Sequence, residues 1–126
     1  MTIKYTKSGL WIEKLKDSYR LGLSVKGQDD VGDIMYAELP DFESDSHLDK
    51  DENLLSVEGA KAVTEIVSPL KGTVKAVHKE VEDDTELLNS TDRTKNWIIE
   101  LTEVEGNDSE ALSDDPWFGE EKTQKD

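Results

Sequence analysis

A chain of 126 residues with 30 acidic and 15 basic side chains, a net charge of −15, has room for one core and excludes a large two-domain enzyme. That charge repels phosphate backbones and anionic lipid, so neither nucleic acid nor a membrane surface is an expected partner. The chain holds no cysteine, hence no disulfide, thiolate nucleophile or thiolate metal site, and redox chemistry would have to come from an attached group. The N-terminus lacks the apolar core of a signal peptide and no run approaches the ~18 apolar residues of a membrane span, so a cytoplasmic location is expected.

In chain order, Leu10–Leu15 and Ser18–Val25 read as a hairpin. In its second arm Tyr19, Leu21, Leu23 and Val25 alternate onto one face. Ile34–Leu39 is a third strand, stopped by Pro40. Asp41–Asn53 is an acidic, solvated connection. Leu54–Glu58 and Ala62–Val67 face each other across Gly59-Ala60-Lys61, a hairpin with a glycine at its bend. A strand at Thr73–His78, one or two helical turns in Glu80–Asn89 and a closing strand at Trp97–Leu101 follow. The sum is a mainly β sandwich or barrel of about seven short strands with small helical decorations.

The end of the chain differs. Residues 103–126 hold nine acids against two lysines. Asn107–Leu112 has the capping residues of a short C-terminal helix, Trp117 and Phe118 could dock on the core, and residues 119–126 form an acidic tail expected to be disordered. The domain is thus placed at residues 1–118.

Side-chain catalysis finds little support. His47 and His78 have no triad or metal-cage context and read as surface histidines, and Asp41–Glu52 lacks the spacing and central glycine of a calcium loop. The unusual object is Glu58-Gly59-Ala60-Lys61-Ala62. It raises a lysine clear of the sheet between two alanines, where a modifying enzyme can reach the amine.

That motif, with Asp33-Ile34-Met35-Tyr36-Ala37-Glu38-Leu39-Pro40 upstream and Ser68-Pro69-Leu70-Lys71-Gly72 downstream, resembles the glycine cleavage system H protein family. Trp11, Gly22, Leu87-Leu88-Asn89 and Trp97-Ile98-Ile99 extend the likeness over most of the chain. The resemblance implies a lipoyl-carrier β-sandwich (a barrel-sandwich hybrid) with short helices, one of them C-terminal. It implies that lipoic acid is joined by an amide to Lys61, with Glu58 as the acidic partner in the hairpin and Ala62 as the small residue after the lysine. The chain would then be a carrier and not an enzyme. A biotinyl carrier would flank its lysine with methionines, so lipoate is favoured.

The chain departs from the family where ordinary members line the cleft that shelters an aminomethylated arm. Their His-Glu-Trp is Gly9-Leu10-Trp11 here, and their Asp-His-Ala-Gln is Val25-Lys26-Gly27-Gln28. The pattern resembles the H-like carriers found beside lipoate ligases, macrodomain proteins and sirtuin-type ADP-ribosyltransferases. That likeness implies a redox carrier in an oxidative-stress pathway, with a lipoate–protein ligase, a sirtuin-type transferase and a macrodomain hydrolase as partners. Asp29, placed beside Asp30 at a strand end, is then a candidate ADP-ribose acceptor. The alternative is the ordinary H-protein role, with glycine decarboxylase, an aminomethyltransferase and dihydrolipoyl dehydrogenase as partners.

Overall fold

The alternation of the second hairpin arm lasts as far as Leu23. In the computed structural model, which describes residues 3–43, 45–105 and 112–117, strands β1 (Ile3–Thr6), β2 (Leu10–Lys14) and β3 (Tyr19–Leu23) run as an antiparallel meander. Ser24 then caps a helix that periodicity did not suggest, α1 (Val25–Val31), its hydroxyl accepting from Gly27 N at 3.2 Å. Val25 is therefore helical, and Asp29 and Asp30 lie within a helix, not at a strand end.

Beyond α1 come β4 (Ile34–Glu38), β5 (His47–Leu48), β6 (Asn53–Gly59), β7 (Val63–Val67) and β8 (Lys71–Val77). Three one-turn helices, α2 (Glu80–Asp83), α3 (Glu86–Asn89) and α4 (Arg93–Asn96), precede the long closing strand β9 (Trp97–Glu105) and the short β10 (Leu112–Ser113). Ten strands among the described residues exceed the seven expected, because β1, β5 and β10 are too short for their alternation to show. The acidic connection is not all loop: His47 and Leu48 pair with Thr73 and Gly72, and Leu48 is buried. Helix α4 also went unexpected. Asp92 caps it, and hydrogen bonds from the Thr94 side chain and backbone hold the Asp92 carboxyl below its ordinary range.

Seven strands form one sheet, in the order β10-β1-β2-β3-β9-β8-β5, and β4-β6-β7 form a second. Register explains the core. Ile12, Leu21 and Ile99 are partners across β2, β3 and β9 and present a continuous buried row. The smaller sheet answers with Ile34, Ala37, Leu55, Val57 and Ile66, all at most 3% exposed. Leu88 on α3 and Val81 on α2 complete the same apolar cluster.

Two polar features anchor the large sheet. Glu100, 7% exposed, accepts from Ser18 Oγ at 2.5 Å and Arg20 Nη2 at 3.2 Å, with Lys75 Nζ at 3.4 Å. Burial pushes its carboxyl up, but the bonds from Ser18 and Arg20 and the charges of Arg20 and Lys75 outweigh burial and hold it below the ordinary value. His78, expected on the surface, is 8% exposed and stacks on Trp97 with ring centroids 4.5 Å apart, because the strand end it occupies is covered by the closing strand. His47 is exposed as expected and pairs with Asp49 at 2.7 Å.

The proposed C-terminal helix falls on residues 107–111, outside the described ones, while Leu112 is in β10 and pairs with Thr6. Trp117 borders a recess of about 280 Å³ together with Tyr5 and Trp11 and remains 38% exposed. Phe118 and the tail 119–126 lie outside the described residues. No helix among the described residues is long and apolar enough to cross a membrane.

A carboxyl whose folded pKa is depressed contributes stability that is present above its unfolded value and lost as pH falls through the folded one. Glu100→Gln should therefore cost about 1–3 kcal/mol at neutral pH. Its unfolding midpoint should fall less steeply than that of the unaltered chain as the pH drops below 4.5, the ordinary value of the group. Parallel losses in denaturant titrations at both pH values would contradict this assignment.

Candidate functional site

The hairpin between β6 and β7 closes with Gly59 N donating to Ala62 O at 2.9 Å. Its tip is not free-standing. Lys61 N donates to Val31 O at 2.8 Å and Ala60 N to Asp33 O at 3.0 Å, so two successive amides of the tip are spent on the turn that joins α1 to β4. The close approach requires glycine on both sides. A Cβ on Gly59 would collide with Val31, and one on Gly32, which has φ +81°, would lie 2.9 Å from Lys61 Cγ and 3.0 Å from Lys61 N.

The brace is itself held from behind. Gln28 in α1 donates to Leu88 O at 2.8 Å and Ser90 O at 2.6 Å. Asn89 bonds both backbone groups of Ile34, at 2.8 and 3.2 Å, fixing the start of β4. Asn96 donates to Ser90 O at 2.8 Å and accepts from the buried Trp11 indole at 2.8 Å. A run of specific bonds thus leads from the first sheet to the lysine tip.

At the tip, Lys61 is 60% exposed along its side chain, and Ala60 and Ala62 beside it are exposed. Lys61 Nζ donates to the carbonyl of Asp29 at 3.1 Å and lies 3.5 Å from its carboxylate. The fold therefore brings two residues 32 positions apart, both singled out in the sequence, into contact. Glu58 is exposed on β6, opposite Tyr36 on one side and Val63 on the other, and Ala62 helps line a neighbouring cleft.

That cleft, about 210 Å³, lies between α1 and β7. Gly27, Val31, Ala62, Val63 and Ile66 make its apolar part, and Ser8, Asp30 and Thr64 its polar part. The segments 8–10 and 25–28 meet beside it. Leu10 is wholly buried in the core, Gly9 O accepts from Ser24 N, and neither supplies a polar side chain. Lys26 spends its amine on Asp30 at 2.7 Å and on Lys7 O at 2.9 Å. Ser8 and Thr64 carry no sequence signal of their own, and Asp30 stands out in the sequence only as the neighbour of Asp29; α1, which carries Asp30 to the cleft, gives no strong periodic signal.

Among the described residues no group of three or more His, Asp or Glu gathers as a metal site would. Fold and site define a two-sheet β-sandwich that presents one braced lysine on a hairpin. Residues 3–124 match the family model for the glycine cleavage H-protein. The chain is 39% identical over 113 residues to the glycine cleavage system H protein of Listeria innocua serovar 6a, covering 88% of this chain and 89% of the relative. It is 33% identical over 112 residues to the protein of the same name from Staphylococcus carnosus, covering 89% and 85%. The crystal structure of a glycine cleavage system H protein from Mycobacterium marinum shares the fold with a TM-score of 0.67 at 22% identity, covering 79% and 82%. The chain belongs to the glycine cleavage H-protein family.

Gly59→Ala should lower stability by about 1–3 kcal/mol in denaturant unfolding, since the methyl group has no space against Val31. The Lys61 amide, bonded to Val31 O, should exchange faster with deuterium in that variant. Asp29→Asn removes only an exposed ion pair and should shift stability by less than about 1 kcal/mol. A Gly59→Ala protein with unchanged midpoint and unchanged Lys61 exchange would show that the brace does not constrain the tip.

Proposed function

We propose that this chain is a swinging-arm carrier that bears a lipoyl group in amide linkage to Lys61. The observation that carries the reading is the pairing of a rigid backbone with an open side chain: two tip amides are bonded to the turn after α1, while the amine itself is exposed. The residues fit such a group. The amine is reachable, the flanking alanines leave approach room, and the apolar walls of the adjoining cleft could receive a ring on a flexible arm. When attached, the lipoyl group supplies the thiol pair that a cysteine-free chain lacks.

The chain's own contribution is positional. The braced hairpin fixes the pivot, and the single bonds of the lysine give the arm its reach at high effective concentration within a complex. Amide formation at Nζ removes the ammonium charge, so the ion pair with Asp29 ends and the side chain is no longer held against α1. Glu58, exposed three residues before the lysine, offers a negative charge to an approaching partner.

For the pathway, we favour a redox carrier linked to oxidative stress and ADP-ribosylation, with Asp29 as ADP-ribose acceptor. In support, positions 9 and 10 offer no polar side chain to a labile amine adduct, the Lys26 amine is engaged by Asp30 and Lys7 O, and the Asp29 carboxylate is half exposed beside Lys61. A second reading, the shuttling of an aminomethyl group between glycine decarboxylase and an aminomethyltransferase, is favoured by the names of the relatives. Both relatives carry the glycine cleavage system H protein name over more than four-fifths of their length.

Incubation with lipoate, ATP and a lipoate–protein ligase should add one lipoyl mass to the intact chain, and Lys61→Arg should abolish the gain. Absence of any gain in the unaltered chain would end the carrier reading. The loaded carrier then separates the pathways. Glycine decarboxylase turnover sustained by it establishes the second reading. Transfer of ADP-ribose from NAD by a sirtuin-type enzyme, lost in Asp29→Asn and without decarboxylase turnover, establishes the first.

A further inference from the structure

The small sheet β4-β6-β7 turns one face to the core and leaves the other uncovered by any of the described residues. On that outer face, Tyr36, Glu58 and Val63 are register partners across the three strands and form one row immediately below the Lys61 tip. Tyr36 is 53% and Val63 77% exposed, and Met35 is 59% exposed beside them. A register shift between Ile34 and Tyr36 accounts for Met35 and Tyr36 both facing outward, since the extra residue breaks the in-and-out alternation of β4. Among the described residues five large hydrophobic side chains are exposed, and three of them lie in this patch around the lysine. The Tyr36 hydroxyl has no hydrogen-bond partner among the described residues.

Carboxylates run through the patch. Glu58 lies within the row, and Glu38 and Glu65, register partners of Ser56 from its two sides, are exposed in the next row. A second copy of this chain would bring the same carboxylates face to face, an arrangement like-charge repulsion disfavours. A carboxylate flanked by Tyr36 and Val63, with two more in the next row, fits a partner whose surface sets a lysine or arginine between two apolar contacts. Because the patch adjoins the amine, a protein seated on it is held with its own reactive centre next to Lys61.

We propose that the outer face of β4-β6-β7, centred on Tyr36 and Val63, is the docking surface for the enzyme that acylates Lys61. The inference rests on the carrier reading and adds the residues by which that enzyme finds its substrate. Tyr36 and Val63 anchor the apolar contact over a span of roughly 10 Å, two strand spacings. Glu58 and Glu65 speed and orient the approach by long-range attraction that salt weakens. None of these side chains touches the reacting atoms, so they act on binding and not on the acyl transfer itself.

The test is the initial rate of lipoyl addition by a lipoate–protein ligase against carrier concentration, together with direct titration of the unloaded carrier into the ligase. Tyr36→Ala and Val63→Ser should each raise KM and the dissociation constant about fivefold or more, with kcat within about twofold. Glu58→Gln should flatten the rise of KM with salt. Trp117→Ala, an exposed aromatic away from the patch, should change neither constant. An unaltered chain that is acylated while both patch variants keep its KM and affinity overturns the docking face and leaves the carrier reading intact. A chain that takes no lipoyl group at any concentration overturns both. A rise in KM with Trp117→Ala equal to that of the patch variants, or a dimer in sedimentation that Tyr36→Ala dissolves, also overturns the assignment.

Discussion

The hydrogen bond from Lys61 N to Val31 O is the contact on which the rest of the site depends. A hairpin loop in water samples many conformations, and a long side chain at its end adds several more freely rotating bonds. Fixing the backbone of the tip costs about 1–2 kcal/mol per residue in conformational entropy. Here two backbone bonds and two glycine contacts, in and beside a region of buried Val31, Ile34 and Gly59, offset that cost. Disorder is left only where it is useful, in the lysine side chain.

Much of the remaining architecture can be understood as support for that turn. Gln28, Asn89 and Asn96 are polar residues on three different helices, and each spends its amide on backbone groups of Ser90, Leu88 or Ile34. The one-turn helices α3 and α4 are too short to be stable by themselves. They persist because Leu88 enters the core and because these amides tie their ends together. Asn96, just ahead of the closing tryptophan, gives the buried Trp11 indole its acceptor.

The strands of the fold were legible where a face is half buried for four or more residues. Tyr19–Leu23 shows this, because a period of two leaves a direct trace in the residue order, whereas Leu10–Lys14 and the lysine hairpin stand out as short β-rich runs bounded by turn residues. What escaped has a physical reason in each case. Helix α1 carries Lys26, Gln28, Asp29 and Asp30 over two turns and buries only Gly27 and Val31, too few apolar positions to declare a stripe. Strand β5 is two residues long, and His78 is enclosed by a neighbour 19 positions further along. Lys61, Glu58 and Ala62 stood out by motif. The contact of Lys61 with Asp29 did not, since it depends on a helix the alternation did not reveal, and the outward turn of Met35 and Tyr36 depends on a bulge set by pairing with Gly59.

The two glycines at the brace bear on how far this attachment site can be moved. Gly59 belongs to the hairpin, whereas Gly32 belongs to the turn that receives it, and each must stay bare for the other's segment to fit. The recognition element is therefore split between two segments that are distant in sequence. A peptide tag copied from residues 57–65 would carry the lysine, its glutamate and its alanines, yet leave behind the surface that gives them a shape. Transplanting the site into an unrelated β-protein means transplanting residues 24–39 with it.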